Sequence, residues 1–313
     1  MNKEASQRRA KALQFIVLMG LVSLFGDIVY EGARGVIGPY LAMLGASAFA
    51  VGLVGGLGEF IGYALRLLSG FMADRTKAYW LFTFIGYGLI LSIPLLSFAN
   101  SWWVAALFII LERAGKAFRS PARDTILSYA TKEVGRGFGF GIHEALDQIG
   151  AIVGPLIFSF ILFFGGDYRS GFSILWIPAL IVIVILVMAR NQLPHPEKLE
   201  TPEESEEKDS KIFSRVFILY SLFTFLSVAG FANFPLISYH LKVKEIMSDV
   251  QIPTFYALAM GVDAIVALLI GRAYDRVGLR TLMVIPLLSL FIPFLAFSNS
   301  IASVIIGVIL WGG

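Results

Sequence analysis

The sequence contains no cysteine and few charged residues. It has 313 residues, of which 15% are Asp, Glu, Lys or Arg, whereas soluble domains carry about a quarter. The lack of cysteine excludes a disulfide framework, a thiolate zinc site and a cysteine nucleophile. Hydrophobic residues make up 57% of the chain and the mean hydropathy is +0.78. This composition excludes a soluble enzyme.

Long apolar segments recur along the whole chain. A helix needs about 20 apolar residues to cross a bilayer, and we identify ten such segments. They are 12–44, 49–71, 79–98, 102–118, 137–164, 172–189, 213–239, 253–270, 281–297 and 301–313. The first is too long and too charged for a signal peptide. The sequence therefore predicts an all-α polytopic membrane protein.

Basic residues fall unequally on the two sides of these segments. If the amino terminus is cytoplasmic, eighteen Lys and Arg residues lie in cytoplasmic loops, and three lie outside, namely Arg169, Lys242 and Lys244. Cytoplasmic loops carry such an excess in membrane proteins. We expect a multi-pass protein of the cytoplasmic membrane with its amino terminus inside. The net charge of +3 then reflects topology, and no nucleic-acid partner is expected.

One acidic, proline-containing stretch divides the apolar segments into six and four. Residues 191–211 include seven Asp or Glu residues between Glu197 and Asp209 and cannot bury apolar area. We expect a solvated cytoplasmic linker at 191–211, between an amino-terminal six-helix half at 1–190 and a carboxy-terminal half at 212–313.

The second half repeats two stretches of the first. Residues 271–276 repeat the pattern of residues 70–75, and residues 292–300 repeat that of residues 93–101. Internal repeats of this kind are typical of secondary transporters. By this register six helices are expected after the linker, whereas four are present. We therefore expect an incomplete second half of about four helices in a chain truncated at its carboxyl end.

The repeated loop resembles the Gly-x-Leu-Ala-Asp-Arg-x-Gly-Arg-Arg/Lys motif of the major facilitator superfamily of transporters. The first copy keeps Gly70, Ala73, Asp74 and Arg75 and departs at Met72, Lys77, Ala78 and Tyr79. The second copy keeps Gly271, Asp275, Arg276, Gly278 and Arg280. The helix-five signature of the family, Gly-x-x-x-Gly-Pro, is matched by Gly150, Gly154 and Pro155. The resemblance implies two halves that rock around a midplane cavity, with the helix-five motif at the interface between them. Helix packing alone is the other interpretation of its glycines.

Charged residues near the cytoplasmic helix ends form a candidate gate. Asp74 can pair with a basic group or with a helix amino terminus and so latch one conformation; a tight charged turn without a switching role is the alternative. The basic run 112–124 either binds an anionic substrate at its inner end or anchors helix four and stabilises the gate, and its position near the interface favours the second. The gate set is Gly70, Asp74, Arg75, Lys116, Arg119, Arg123, Asp124, Gly271, Asp275, Arg276 and Arg280.

Other ionisable residues lie deep inside the apolar segments, where they are costly and therefore candidates for function. The cavity set is Asp27, Glu31, Arg34, Glu59, Tyr63, Arg66, Glu112, Arg113, His143, Glu144, Asp147, Gln148 and Asp263. From helix geometry, we expect four of its acids to converge near the midplane, namely Asp27, Glu59, Glu112 and Asp147. Acids outnumber bases at this depth, so Asp27, Glu59 or Asp147 is expected to carry a proton, with static pairing as the competing interpretation.

These features predict a secondary active transporter that moves a small solute by alternating access, coupled to protons and acting as a monomer in the lipid bilayer. No cofactor or metal is expected. A non-functional remnant or an accessory membrane subunit is the alternative. A third interpretation is an intramembrane metalloprotease, because His143 and Glu144 resemble the start of a His-Glu-x-x-His motif. Asp147 replaces the second histidine of that motif, so we do not expect an enzyme.

Overall fold

A computed structural model describes residues 3–196, 215–229 and 232–313. Within these ranges the chain forms α-helices joined by short loops and 3₁₀ turns. The helices are α1 (Lys3–Met43), α2 (Ala48–Thr76), α3 (Tyr79–Leu89), α4 (Trp102–Thr131), α5 (Arg136–Phe163), α6 (Tyr168–Ile174), α7 (Trp176–Gln192), α8 (Arg215–Ala229), α9 (Phe234–Val243), α10 (Gln251–Val277), α11 (Val284–Ala296) and α12 (Ile301–Gly312).

Short polar side chains set several helix starts. Ser47 accepts a hydrogen bond from the Ala50 amide at 3.2 Å before α2, and Asn233 accepts one from the Leu236 amide at 3.0 Å before α9. Such caps satisfy amide groups that have no partner in the first helical turn. The loops between these apolar helices can therefore be only a few residues long.

The expected apolar segments are confirmed as helical where the structure describes them. The third continues from α3 into 3₁₀ turns at 90–98, the sixth is divided into α6 and α7, and the seventh into α8 and α9. Most of the expected linker, residues 197–211, lies outside the described residues. Six helical stretches in the described ranges are long and apolar enough to cross a membrane, namely Ser6–Met43, Ala48–Thr76, Tyr79–Phe98, Arg136–Phe163, Tyr168–Gln192 and Gln251–Ile270.

In the part of the chain that the structure describes, three apolar cores hold the helices together. Helices α1–α7, here called the first half, enclose one core around Tyr40 and Phe172 and another around Phe15 and Tyr79. In the second half (α8–α12), helices α9–α12 enclose a third core that includes Trp311. Burial of large side chains of this kind excludes voids and fixes the helix positions. Each half therefore has a core of its own.

Helices α1 and α5 of the first half touch backbone to backbone. A Cβ atom on Gly154 would lie 2.8 Å from the amide nitrogen of Gly32, and one on Gly150 would collide with the carbonyl oxygen of Leu24. Small residues permit this close approach between membrane helices. The expectation that Gly150 and Gly154 lie between the halves is therefore wrong, because both glycines face α1 of the same half.

The two halves meet mainly at one end of the bundle, here called the closed end, which carries the loops 44–47, 164–167 and 244–250. There the Tyr239 hydroxyl donates to the Ala46 carbonyl at 3.2 Å, and the Tyr168 hydroxyl donates to Asp249 at 2.7 Å. At the opposite end, Asp74, Asp124 and Arg276 are exposed. We call that end the open end; it carries the loops 77–78 and 132–135 and the turn 278–283.

Candidate functional site

A polar cavity of about 260 Å³ lies between α1, α2 and α4. Its depth follows from the helix rise of about 1.5 Å per residue. Glu59 and Arg113 each lie eleven residues from the closed-end start of their helices, which is about 16 Å. The cavity is therefore near the middle of the spanning segments. Its walls are formed by Tyr30, Arg34, Glu59, Gly62, Tyr63, Arg66, Arg113 and Lys116.

Glu59 bridges two guanidinium groups on neighbouring helices. Its Oε1 lies 3.4 Å from a terminal nitrogen of Arg34 and 3.3 Å from one of Arg113. Arg34 is also 3.9 Å from Glu31, one turn away on α1. Ionised groups at this depth require such partners because water is scarce. One carboxylate thus ties α1, α2 and α4 together at the cavity.

Tyr30 organises the basic side chains around it. Its hydroxyl accepts hydrogen bonds from Arg113 and, at 3.1 Å, from Arg34. The Lys116 ammonium lies 3.8 Å from the centroid of the Tyr30 ring, and the Arg113 guanidinium lies 4.9 Å from it. Cations over an aromatic face are stabilised by the ring quadrupole. A single tyrosine therefore contacts three of the four cations of the cavity.

A second acidic site lies where α1 and α5 touch. Asp27 on α1 and Asp147 on α5 are neighbours whose carboxyl groups interact electrostatically, and Asp27 also interacts with Lys116. Both side chains are half-buried, and a Cβ on Gly150 would lie 3.1 Å from that of Asp27. Two carboxylates this close repel each other when both are ionised. Part of this negative charge is offset by Lys116, which interacts with Asp27, and by Arg123, which interacts with Asp147.

The second half reaches the cavity through α10 and α12. The buried hydroxyl of Tyr256 donates a hydrogen bond to Glu31, and the Trp311 ring lies 6.0 Å from the Arg34 guanidinium. Gln148 on α5 donates to Asp263 on α10 at 3.1 Å. These contacts make the polar sites of the first half sensitive to the position of the second half.

The described residues include no group of three or more His, Cys, Asp or Glu side chains that could hold a metal ion. His143 instead lies 3.2 Å from the Ser23 hydroxyl, which accepts a hydrogen bond from Arg123 at 3.0 Å. Glu144 is exposed and is 3.5 Å from Gln148. His143 and Asp147 thus belong to the polar interior, whereas Glu144 lies on the surface of α5.

The family follows from comparison with known proteins. A family model described as Major Facilitator Superfamily matches residues 17–313. The chain belongs to the major facilitator superfamily. It is 40% identical to "Uncharacterized protein Rv2265" of Mycobacterium tuberculosis, over 98% of this chain and 77% of that protein. It is 29% identical to "Uncharacterized MFS-type transporter MJ1317" of Methanocaldococcus jannaschii, over 86% of this chain and 68% of the relative.

Solved structures of transporters share the fold of this major facilitator chain. A bacterial homolog of the human lysosomal transporter Spinster, in an inward-facing and unoccupied conformation, superimposes with a TM-score of 0.69 at 16% identity, covering 100% of this chain and 73% of that one. The nucleoside transporter NupG superimposes with a TM-score of 0.68 at 15% identity, covering 95% and 78%. The predicted all-α transporter fold is therefore confirmed. The protein is a multi-pass membrane transporter and not an enzyme.

The acids expected to converge do not form one cluster in this transporter. Asp27 pairs with Asp147, and Glu59 joins the basic cavity. Glu112 forms a third site, an ion pair of 3.2 Å with Arg119 in which both side chains are almost fully buried. Glu112 lies seven residues before Arg119 on one face of α4, which brings the two side chains within reach of each other.

Two residues assigned to the gate from sequence lie elsewhere. Lys116 belongs to the cavity wall, and Arg119 is buried against Glu112 and the Tyr87 ring. The reason is that α4 runs to Thr131, so both residues lie well inside the helix instead of at its end. Arg123 pairs with the neighbouring Asp124 at 2.9 Å, near the open end.

The repeated loops lie at the open end, as a gate requires. Asp74 and Arg75 are exposed, and the Tyr79 hydroxyl lies 3.5 Å from Asp74. Arg276 ends α10 and is exposed. The side chains of Asp275 and Arg280 lie outside the described part of the structure. The gating role of these loops remains a prediction.

Two tyrosines of the site were not selected as site residues from sequence. Tyr30 lines the cavity and lies one turn before Arg34 on α1, and Tyr256 contacts Glu31. Tyr256 lies seven residues before Asp263, so the two share a face of α10. A search for tyrosines at helical spacing from buried charges finds both residues. The contact of Tyr256 with Glu31 needs the tertiary structure, because it joins residues 225 positions apart.

Proposed function

We propose that this chain is a secondary active transporter that moves a small solute across the cytoplasmic membrane by alternating access, coupled to protons and acting as a monomer. The observation that carries proton coupling is the Asp27 and Asp147 pair. Two adjacent carboxyl groups at membrane depth stabilise one shared proton by mutual repulsion of their ionised forms. Release and uptake of that proton change the charge at the contact of α1 with α5.

The charge distribution supports an orientation with the open end in the cytoplasm. The open-end loops contain Lys77 and Lys132, and the amino-terminal part of α1 carries Arg8, Arg9 and Lys11. An excess of basic residues marks the cytoplasmic side. The conformation then faces inward, in keeping with its similarity to the inward-facing Spinster homolog.

Coupling between proton and solute has a physical route through Lys116. This ammonium lies against Tyr30 in the cavity and interacts electrostatically with Asp27 and Glu31. Protonation of the Asp27 and Asp147 pair removes negative charge near Lys116. The cation is then freer to interact with a solute in the cavity, so the two sites are linked in free energy.

Proton coupling is tested in proteoliposomes that contain a pH-sensitive dye. A panel of small solutes is added with and without an imposed proton gradient, to wild type, Asp27→Asn and Asp147→Asn. We expect solute-dependent proton movement in wild type and its loss in both variants. The matched control is Glu133→Gln, which neutralises an exposed acid between α4 and α5. Equal gradient-driven uptake in all four proteins would overturn the assignment of the carboxyl pair.

Alternating access is tested by distances between spin labels. Since the chain has no cysteine, two introduced cysteines are the only labelled positions. Thr76→Cys with Val277→Cys reports the open end, and Ala48→Cys with Lys244→Cys reports the closed end. We expect the first distance to shorten and the second to lengthen when the outward-facing state is populated. Parallel changes at both ends would contradict the rocking motion.

A further inference from the structure

We propose that the cavity between α1, α2 and α4 binds a small solute with at least two negative charges on carboxylate or phosphate oxygens. The proposal rests on the transport function above, because it names the class of solute. Four cationic side chains line the cavity against one carboxylate, Glu59. Glu31 does not line the cavity but lies 3.9 Å from Arg34, so four positive charges minus the negative charges of Glu59 and Glu31 leave an excess of two positive charges.

Two of the cations form no direct ion pair in the described residues, although Lys116 interacts with Asp27 and Glu31 at longer range. Glu59 is occupied by Arg34 and Arg113, whereas neither Arg66 nor Lys116 has a carboxylate oxygen within 4.0 Å. The Nε atoms of Arg34 and Arg66 are also buried without a hydrogen-bond partner. Unpaired cations at membrane depth are costly. A bound anion supplies the missing partner.

Tyr30 holds the basic groups in an arrangement suited to an anion. Its oxygen accepts from Arg34 and Arg113, which uses both lone pairs and leaves the hydroxyl hydrogen free to donate. Guanidinium groups present planar pairs of donors that match carboxylate and phosphate oxygens. Arg66 lies over the Tyr63 ring at 5.4 Å, on the opposite wall. Donors therefore approach the cavity from α1, α2 and α4.

Size and depth favour a free solute over a lipid headgroup. The volume of about 260 Å³ is below the range of about 300–1,000 Å³ of drug-sized ligand sites. Anionic headgroups lie at the membrane surface, about 15 Å from the middle of the hydrocarbon core. The Glu59 bridge lies near the middle of α2, so a headgroup there would have to leave the interface.

The test is calorimetric titration of the purified full chain in nanodiscs of neutral phosphatidylcholine, with succinate and with inorganic phosphate at low salt. We expect one of these dianions to bind, and the neutral amide succinamide to give no heat. Arg66→Gln and Lys116→Gln should weaken binding about tenfold to hundredfold, as expected for lost charge-assisted hydrogen bonds. Glu59→Gln should strengthen it, because Arg34 and Arg113 are released.

The matched control is Arg272→Gln, which removes an exposed positive charge from α10. It should bind like wild type, and thermal unfolding should show that every variant is folded. Arg66→Lys keeps the charge and should recover part of the affinity. The proposal would be overturned if neither succinate nor phosphate bound to wild type. It would also be overturned if Arg66→Gln and Lys116→Gln bound the dianion as tightly as wild type.

A second titration separates solute from lipid. Nanodiscs that contain phosphatidylglycerol should leave the affinity for the dianion within about twofold once surface charge is screened by salt. The solute proposal would be overturned if phosphatidylglycerol blocked dianion binding completely and Arg66→Gln no longer retained this lipid. That result would indicate a headgroup site. Dianion binding without proton-coupled flux would contradict only the proposed coupling. Proton-coupled flux of neutral solutes without dianion binding would contradict only this inference.

Discussion

The carboxylate of Glu31 on α1 accepts a hydrogen bond from the hydroxyl of Tyr256 on α10. Both side chains are buried, and they belong to different halves of the transporter. Glu31 is also the neighbour of Arg34, which forms part of the cavity wall. A movement of α10 therefore changes the interactions of the charges that surround the cavity.

Removal of this hydrogen bond should shift the balance between the two conformations. Tyr256→Phe takes a donor from a buried carboxylate, and a hydrogen bond to a charged group contributes about 1.5–3 kcal/mol. Labels at Ala48→Cys and Lys244→Cys report the closed end. We expect the fraction of molecules with the longer label distance to rise about tenfold. Spin-label distance distributions measure that fraction.

The control for this prediction is Tyr239→Phe. The Tyr239 hydroxyl also joins the halves, but it donates to the neutral carbonyl of Ala46. Its removal should change the distribution less, since neutral hydrogen bonds contribute about 0.5–1.5 kcal/mol. A larger effect of Tyr239→Phe than of Tyr256→Phe would show that the Glu31 contact does not hold the halves together.

The buried pair of Glu112 and Arg119 should stabilise the fold only as a pair. Glu112→Gln leaves the Arg119 charge buried without its partner, which costs about 3–5 kcal/mol. The double variant Glu112→Gln with Arg119→Met removes both charges and should recover most of this loss. The free energy of unfolding in mixed micelles measures both effects, with Glu133→Gln as the exposed control. Equal stability of the single and double variants would contradict a buried ion pair.

The contact of α1 with α5 depends on the absence of a side chain at Gly154. Gly154→Ala forces a Cβ against Gly32 and the Ile28 carbonyl and should cost about 1–3 kcal/mol of unfolding free energy. Gly141→Ala, on the same helix, meets no atom within 4 Å and should be neutral or slightly stabilising. Thermal unfolding of the two variants checks the difference. A stable Gly154→Ala protein would show that α1 and α5 are farther apart.

Asp167 caps α6 in a loop at the closed end and predicts a pH effect. Its carboxylate accepts hydrogen bonds from the Ser170 hydroxyl at 2.6 Å and from the Ser170 amide at 2.8 Å. These bonds lower the pKa of Asp167. Its stabilisation is therefore present above the unfolded value of about 3.9 and is lost as the pH falls through the lower folded value.

Asp167→Ala should therefore lower stability by about 1 kcal/mol at pH 7. The difference from wild type should shrink below a pH of about 4, where the carboxyl group becomes protonated. Intrinsic tryptophan fluorescence during heating follows unfolding at both pH values. Asp167→Asn keeps a capping oxygen and should show a smaller loss at pH 7. A difference that does not change with pH would contradict the role of the charge.

Much of the architecture could be predicted from the sequence because bilayer insertion is governed by local apolar length. The helical segments, the repeated loops around Asp74 and Asp275 and the family all follow from patterns within short windows. The family resemblance placed Gly150 and Gly154 between the halves, and the basic run 112–124 placed Lys116 at the gate. Those assignments failed because helical spacing gives the face of a residue but not the neighbour that covers it.

Composition and local pattern are enough to identify a helical membrane transporter with costly charges inside its spans. The partners of those charges depend on how the helices pack. Asp27 lies next to Asp147 because glycines allow α1 and α5 to touch. Glu112 pairs with Arg119, and Glu59 pairs with two arginines. Electrostatic energy depends on distances of a few ångströms between helices far apart in sequence. Such distances are fixed by packing and not by local pattern.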